Sequence, residues 1–224
     1  MSTGSRGDDS QPTRVFICDD HPIVRDALAA VLGTSADIEV VGVASSYDEA
    51  VALLSTNQID VAILDIHLQG KSGLDIGRFI RTDHPTCRIL FLTAFVSDEV
   101  IFEANRIGAA DLMDKAAESQ DIIERVQDVA AGRSFLDQVR LADVFKRLDE
   151  RGVLTLLSLG KTDRQIMALI AEGKADKQIS EEVFLSSQTV RNRISRLLTL
   201  LGRDNRTQLA LLMNSLDAVA RPEA

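Results

Sequence analysis

Cysteine is scarce in this chain of 224 residues: Cys18 and Cys87 are the only two, in no CxxC pair and with no histidine at metal-ligand spacing. A disulfide framework and a zinc site are therefore excluded. No apolar run approaches the ~20 residues that a membrane-spanning helix requires. The stretch Met1 to Thr13 is polar and rich in Gly, Ser and Asp. It lacks the apolar segment of a signal peptide and reads as a disordered tail. These absences predict a cytoplasmic protein with no membrane partner.

Charge is unevenly distributed. The whole chain carries a formal net charge of −9, which taken alone argues against nucleic acid. Residues 1–150 hold 14 Lys/Arg against 26 Asp/Glu, whereas residues 151–224 hold 11 against 8. Between Leu185 and Arg206, five arginines (191, 193, 196, 203 and 206) face a single acid, Asp204. An acidic first half and a locally basic second half indicate two domains with different partners.

In the first half, short apolar runs alternate with amphipathic stretches. Strands are predicted at 15–18, 40–43, 61–64, 89–92 and around 112–113. Helices are predicted after them, the first with a stripe including Ile23, Ala27, Ala30 and Val31, the others near 46–54, 74–81, 98–106 and 121–131. Continuous apolar strands between 3.6-period helices predict an α/β fold with a doubly wound, five-stranded parallel sheet. In such a sheet ligands sit beyond the carboxyl ends of the strands.

The residues at those ends carry the chemistry. Strand one ends in Asp19-Asp20, strand three in Asp65, strand four in Thr93, and Lys115 follows strand five. Any one of them alone is an ordinary cap, turn or surface residue. Jointly they describe a site. Converging carboxylates repel unless a cation lies among them, and carboxylate oxygens suit Mg²⁺. A carboxylate is also a competent nucleophile for phosphoryl transfer, forming an aspartyl phosphate. The Thr93 hydroxyl and Lys115 ammonium would then bind phosphoryl oxygens. Beyond the acid cluster nothing supplies a substrate pocket or a general acid–base, so the chain reads as a non-enzyme.

These residues, with Ser72-Gly73, Thr93-Ala94 and Gly108-Ala109, make residues 14–133 resemble a response-regulator receiver domain. The resemblance implies that Asp65 accepts phosphate from a sensor histidine kinase. It also implies that Asp20, Asp65 and the backbone carbonyl of His67 hold Mg²⁺ directly, with Asp19 acting through water, while Thr93 and Lys115 engage the phosphoryl group. Three positions depart from the family pattern. Gln69 stands where a proline is usual, Leu112 where the switch aromatic is usual, and Asp114 where a strand apolar residue is usual. Asp114 either pairs with Lys115 or faces solvent.

After Gly132-Arg133 the pattern becomes helical throughout. Leu141, Val144, Phe145 and Leu148 recur at helical spacing within a linker at 134–157, broken by Gly152. Further helices are predicted at 163–171, at 177–184 with Asp176 as cap, and at 187–201 with Ser186 as cap. In the last of these, Val190, Ile194, Leu197 and Leu201 form an apolar stripe. Gln188, Arg191, Asn192 and Ser195 form an outward one. Arg suits the guanine edge, and Asn or Gln the adenine edge, in the major groove of double-stranded DNA. Thr189, Arg193, Arg196 and Lys177 suit phosphates.

Residues 158–217 thus read as an all-α helix-turn-helix domain, and the last seven, 218–224, as a tail. The runs Ile166–Gly173, Asp176–Ile179 and Thr189–Asn192 are similar to the LuxR/NarL-type output domain. Residues 131–137, 183–185 and 206–208 resemble actinobacterial dormancy-survival regulators of that NarL/FixJ family. On the final helix Leu209, Leu212, Met213 and Leu216 form an apolar stripe that is either core or, as the family implies, a homodimer surface; the second is expected here. The reading is a DNA-binding transcriptional regulator switched by phosphorylation of Asp65. Its alternative is a regulator that binds DNA as a dimer without that switch.

Overall fold

The structure is a computed structural model describing residues 11–136 and 138–214. The chain divides into two compact units. The first holds β1 (Thr13–Cys18), α1 (Pro22–Leu32), β2 (Ile38–Ala44), α2 (Tyr47–Thr56), β3 (Val61–Asp65), α3 (Gly73–Asp83), β4 (Arg88–Thr93), β5 (Asp111–Asp114) and α5 (Ser119–Ala130). Helix α4 (Asp98–Ile107) lies between β4 and β5 in sequence, and its segment Ser97–Glu103 groups with the second unit. That unit also holds α6 (Gln138–Glu150), α7 (Val153–Leu157), α8 (Lys161–Ala171), α9 (Asp176–Glu182), α10 (Ser187–Leu200) and α11 (Arg206–Asn214). Among the described residues no helix is long and apolar enough to cross a membrane.

The five strands are all parallel in the order β2-β1-β3-β4-β5, the doubly wound arrangement predicted from the alternation. Strand β3 is buried along its whole length, which is why it reads as an unbroken apolar run closed by a single acid. Val15, Ile17, Val61, Ile63, Leu90 and Leu92 build one face of the core, against which Leu28 and Leu32 of α1 and Ile122, Val126 and Val129 of α5 pack. The buried face of α1 is therefore Val24, Leu28 and Leu32, not the stripe through Ile23, Ala27, Ala30 and Val31. Apolar residues occupy most of that helix, so periodicity alone did not select the face. Ile23 is exposed.

Helix starts follow their local chemistry. Ser46 accepts a hydrogen bond from the Glu49 amide, while Glu49 Oε2 accepts from the Ser45 amide and hydroxyl. Asp75 Oδ2 accepts from both the amide and the hydroxyl of Ser72, fixing the start of α3. There the backbone comes so close that a Cβ on Gly73 would lie 1.9 Å from the carbonyl oxygen of Asp65. Glycine is thus required where α3 begins, directly behind the acid at the end of β3. At the opposite end of the sheet Arg14 grips Asp60 through Nε and Nη2, at 3.0 and 2.8 Å, and through its backbone amide at 2.8 Å. Arg125 lies against the Phe135 ring and pairs with Asp111, tying α5 to β5.

Two outcomes follow from this packing. Gly73→Ala should lower unfolding stability by on the order of 1–3 kcal/mol, as overpacking does, in chemical denaturation. Arg14 hydrogen bonding holds the Asp60 carboxyl below the usual carboxylate range. Its contribution is therefore present above the unfolded value of about 4 and is lost as pH falls through the depressed folded value. Asp60→Asn should flatten that acid limb of the stability–pH curve; an unchanged limb would contradict the pairing.

Candidate functional site

Pairing of β1 with β3, β3 with β4 and β4 with β5 brings their carboxyl ends side by side, with β3 central. Asp19, Asp65 and Thr93 are 1, 2 and 0% exposed there. Lys115 reaches across them, its Nζ 2.6 Å from Asp19 Oδ2 and 2.7 Å from Asp65 Oδ2. Burial raises the Asp65 carboxyl above its ordinary range, against the pull of Lys115. Burial also penalises the Lys115 charge, but hydrogen bonding to Asp19 and Asp65 outweighs it and raises the ammonium above its ordinary value. Lys115 is therefore a firmly charged group between two carboxylates.

Asp20 completes the acid group. Asp19, Asp20, His21 and Asp65 bring potential ligand atoms within 4.8 Å of one another. Asp19 Oδ2 and Asp65 Oδ2 face the Lys115 ammonium, and Asp20 Oδ1 faces the His21 ring. Carboxylate oxygens gathered this closely in a mostly buried cluster have the donor chemistry of a site for a hard divalent cation. His21 was not foreseen from sequence: its Nδ1 stands 2.7 Å from Asp20 Oδ1. His67 has an exposed side chain, and its amide donates to Asp65 Oδ1 at 3.2 Å.

Around this pocket the three departures have distinct outcomes. Asp114 is exposed and accepts from the Ala116 amide at 2.8 Å, so it faces solvent instead of pairing with Lys115. Leu112 is buried, paired in register with Phe91 on the face that also carries Thr93. Gln69 lies in the loop before the left-handed Gly70. The Thr93 hydroxyl donates to the Phe95 carbonyl and accepts from the Phe95 amide, both at 3.1 Å. Cys18 is core packing: burial pushes its thiol up to about 12, leaving it protonated.

In the second unit α9 and α10 are joined by a tight turn, and α11 packs on α8. Ser186 caps α10, its hydroxyl accepting from the Thr189 amide at 3.1 Å. Val190, Ile194, Leu197 and Leu201 are buried, whereas Gln188, Arg191, Asn192, Ser195 and Arg196 are exposed. The exposed row is internally ordered. Arg191 donates to Gln188 Oε1 and Gln188 to Asn192 Oδ1, each at 3.0 Å. Thr189 is half-buried and Lys177 exposed. Arg193 is engaged by Asp163 at 2.6 Å, so its expected phosphate role competes with an ion pair.

Two expectations for this unit are corrected. Asp176 does not cap α9: the cap is Ala175, its amide donating to Gln178 Oε1, while Asp176 pairs with Arg206. The final stripe is not a dimer surface, because Leu209, Leu212 and Met213 are 0, 6 and 3% exposed. So small a helical unit needs those side chains for its own core. Leu211 faces outward instead, and Leu216 lies outside the described residues. Phe184, in the turn before α10, is 92% exposed at φ +54°, a left-handed position with no sequence signal.

Two family models match successive segments of the chain. Residues 15–127 match the response regulator receiver domain, and residues 157–213 the luxR family of bacterial regulatory proteins. The DNA-binding transcriptional activator DevR/DosR of Mycobacterium tuberculosis is 37% identical, over 91% of this chain and 94% of its own. The transcriptional regulatory protein LiaR of Bacillus subtilis is 34% identical, over 88 and 95%. Among solved structures, the receiver domain of M. tuberculosis NarL aligns at 30% identity and TM-score 0.53, covering 55% of this chain and all of its own. The response regulator RcsB bound to DNA shares the fold at 21% identity and TM-score 0.60, over 94% of this chain and all of its own.

Removing the bridging cation should expose the cost of the acid pocket. Lys115→Met should lower stability by about 3–5 kcal/mol in metal-free buffer, since it leaves buried carboxylates unpaired. Added Mg²⁺ should raise the melting temperature of this variant more than that of the unaltered chain.

Proposed function

Because the chain belongs to the response regulators with a luxR-type output domain, we propose that it is a DNA-binding transcriptional regulator whose DNA affinity is set by phosphorylation of Asp65. The observation that carries this reading is the Lys115 ammonium held between Asp19 and Asp65 at 2.6 and 2.7 Å, with the buried Thr93 hydroxyl at the next strand end.

The phosphoryl donor would be the phosphohistidine of a sensor kinase. An Asp65 carboxylate oxygen attacks phosphorus, a new O–P bond forms, and the P–N bond breaks with its electron pair returning to the imidazole. Asp19, Asp20 and Asp65, with the His67 carbonyl, would hold Mg²⁺, which would offset the negative charge of the incoming group. Lys115 and Thr93 are suited to bind phosphoryl oxygens once the group is in place. Nothing in this scheme requires turnover of a small-molecule substrate.

For the output unit, the Gln188, Arg191, Asn192 and Ser195 row is proposed to read base edges in the major groove of double-stranded DNA. Thr189, Arg196, Lys177 and a displaced Arg193 would hold phosphates. A homodimer on a two-fold site is the corresponding assembly, through a surface other than Leu209, Leu212 and Met213.

Acetyl phosphate with Mg²⁺ should add one phosphoryl mass to the intact chain and none to Asp65→Asn. Arg191→Ala and Asn192→Ala should each weaken binding to a target promoter by roughly 1–3 kcal/mol while leaving that mass gain intact. Failure of the chain to take up phosphate would favour DNA binding independent of the switch, a reading motivated by Leu112 in place of the usual aromatic.

A further inference from the structure

Leu112 leaves the sheet without an aromatic side chain at the place where the family couples its threonine to the rest of the domain. An aromatic side chain nevertheless stands beside that threonine, on the other side of it in the chain. Phe95 follows β4 by two residues, and its ring is 77% exposed. Its backbone is held by one group: the fully buried Thr93 hydroxyl accepts from the Phe95 amide and donates to the Phe95 carbonyl, both at 3.1 Å. One hydroxyl thus serves both polar groups of a residue whose large apolar side chain lies in water.

We propose that Phe95 is the aromatic carrier of the phosphorylation signal in this chain, released from its exposed position when the Thr93 hydroxyl turns to the phosphoryl group on Asp65. The chemistry compels an exchange. A hydroxyl has a single proton, which it now donates to the Phe95 carbonyl. Donating that proton to a phosphoryl oxygen ends the bond to the carbonyl. Rotation of Oγ1 towards Asp65 also withdraws the acceptor from the Phe95 amide. Phe95 then loses both of its backbone hydrogen bonds with the Thr93 hydroxyl, and the burial of its ring is favoured by the hydrophobic effect. Leu112, on the same face of the sheet as Thr93, is smaller than the aromatic it replaces. Phe95 would thereby do from the loop what the family does from β5. The inference rests on Asp65 being the phosphoryl acceptor.

The chain contains no tryptophan, so Phe95→Trp makes the full-length protein a single-tryptophan reporter at an exposed position that tolerates the larger ring. With Mg²⁺ and acetyl phosphate its emission should shift to the blue and become less quenchable by acrylamide, in step with the phosphoryl mass gain on the same sample. Adding Thr93→Val should abolish the shift in whatever fraction carries the phosphate. Phe95→Ala should keep the mass gain and lose the phosphate-dependent rise in promoter affinity. Phosphorylated Phe95→Trp with unchanged emission, or Phe95→Ala with an undiminished response, would overturn the role of Phe95 and leave Asp65 as acceptor. No mass gain on the unaltered chain would overturn the acceptor assignment and this inference together.

Discussion

Asp19 and Asp65 are almost wholly withdrawn from water at the ends of two adjacent strands, and the Lys115 ammonium lies between them at hydrogen-bonding distance from both. Without a cation, carboxylates so placed would strongly oppose folding of the sheet around them. The rest of the first unit is arranged to hold this triad: parallel strand pairing puts β1, β3 and β5 at one level, and Gly73 lets α3 begin against the Asp65 carbonyl. A site under such electrostatic tension responds to added charge. A phosphoryl group on Asp65 would add negative charge beside Asp19 and create new acceptors for Lys115 and Thr93, so the arrangement before phosphorylation cannot persist after it.

How much of this was legible in the sequence differs by feature. The fold and the acid pocket were, because strand-end acids interrupt otherwise apolar runs and a parallel sheet gathers the carboxyl ends of its strands along one edge. The outward row on α10 was also legible, since three polar and one basic residue at helical spacing stand opposite a clean apolar stripe. The buried face of α1 was not, because nearly every position in Pro22–Leu32 is apolar and tertiary packing made the choice. The α11 stripe was placed outside although it is inside: amphipathic spacing reports that a face is covered, not whether its own domain or a second copy covers it. Asp176 has the composition of a cap but serves as the ion-pair partner of Arg206. His21 entered the acid cluster through the turn after β1, which no spacing rule describes.

Two of the chain's departures from its family pattern, Leu112 and Asp114, lie on β5 beside the pocket. Asp114 proved to be a surface residue bonded to a nearby amide, so it takes no part in the pocket. Leu112 keeps an apolar contact in the core but cannot act as a rotating aromatic side chain. The second unit contains its own charged network that includes the start of α4. Asp98 pairs with Arg147 at 2.6 Å and Glu99 with Arg151 at 2.7 Å, while Phe102 meets Phe145 edge-on. The pairing depresses the Asp98 carboxyl below its ordinary range.

In the proposed function, charge on one carboxylate sets the affinity of a helix for DNA. Its most direct test is the dissociation constant of the full chain for its promoter, measured by fluorescence anisotropy at fixed salt, before and after stoichiometric phosphorylation. Phosphorylation should tighten binding, by a factor that disappears in Asp65→Asn. Equal affinity in both states, with the phosphate shown to be present, would contradict it.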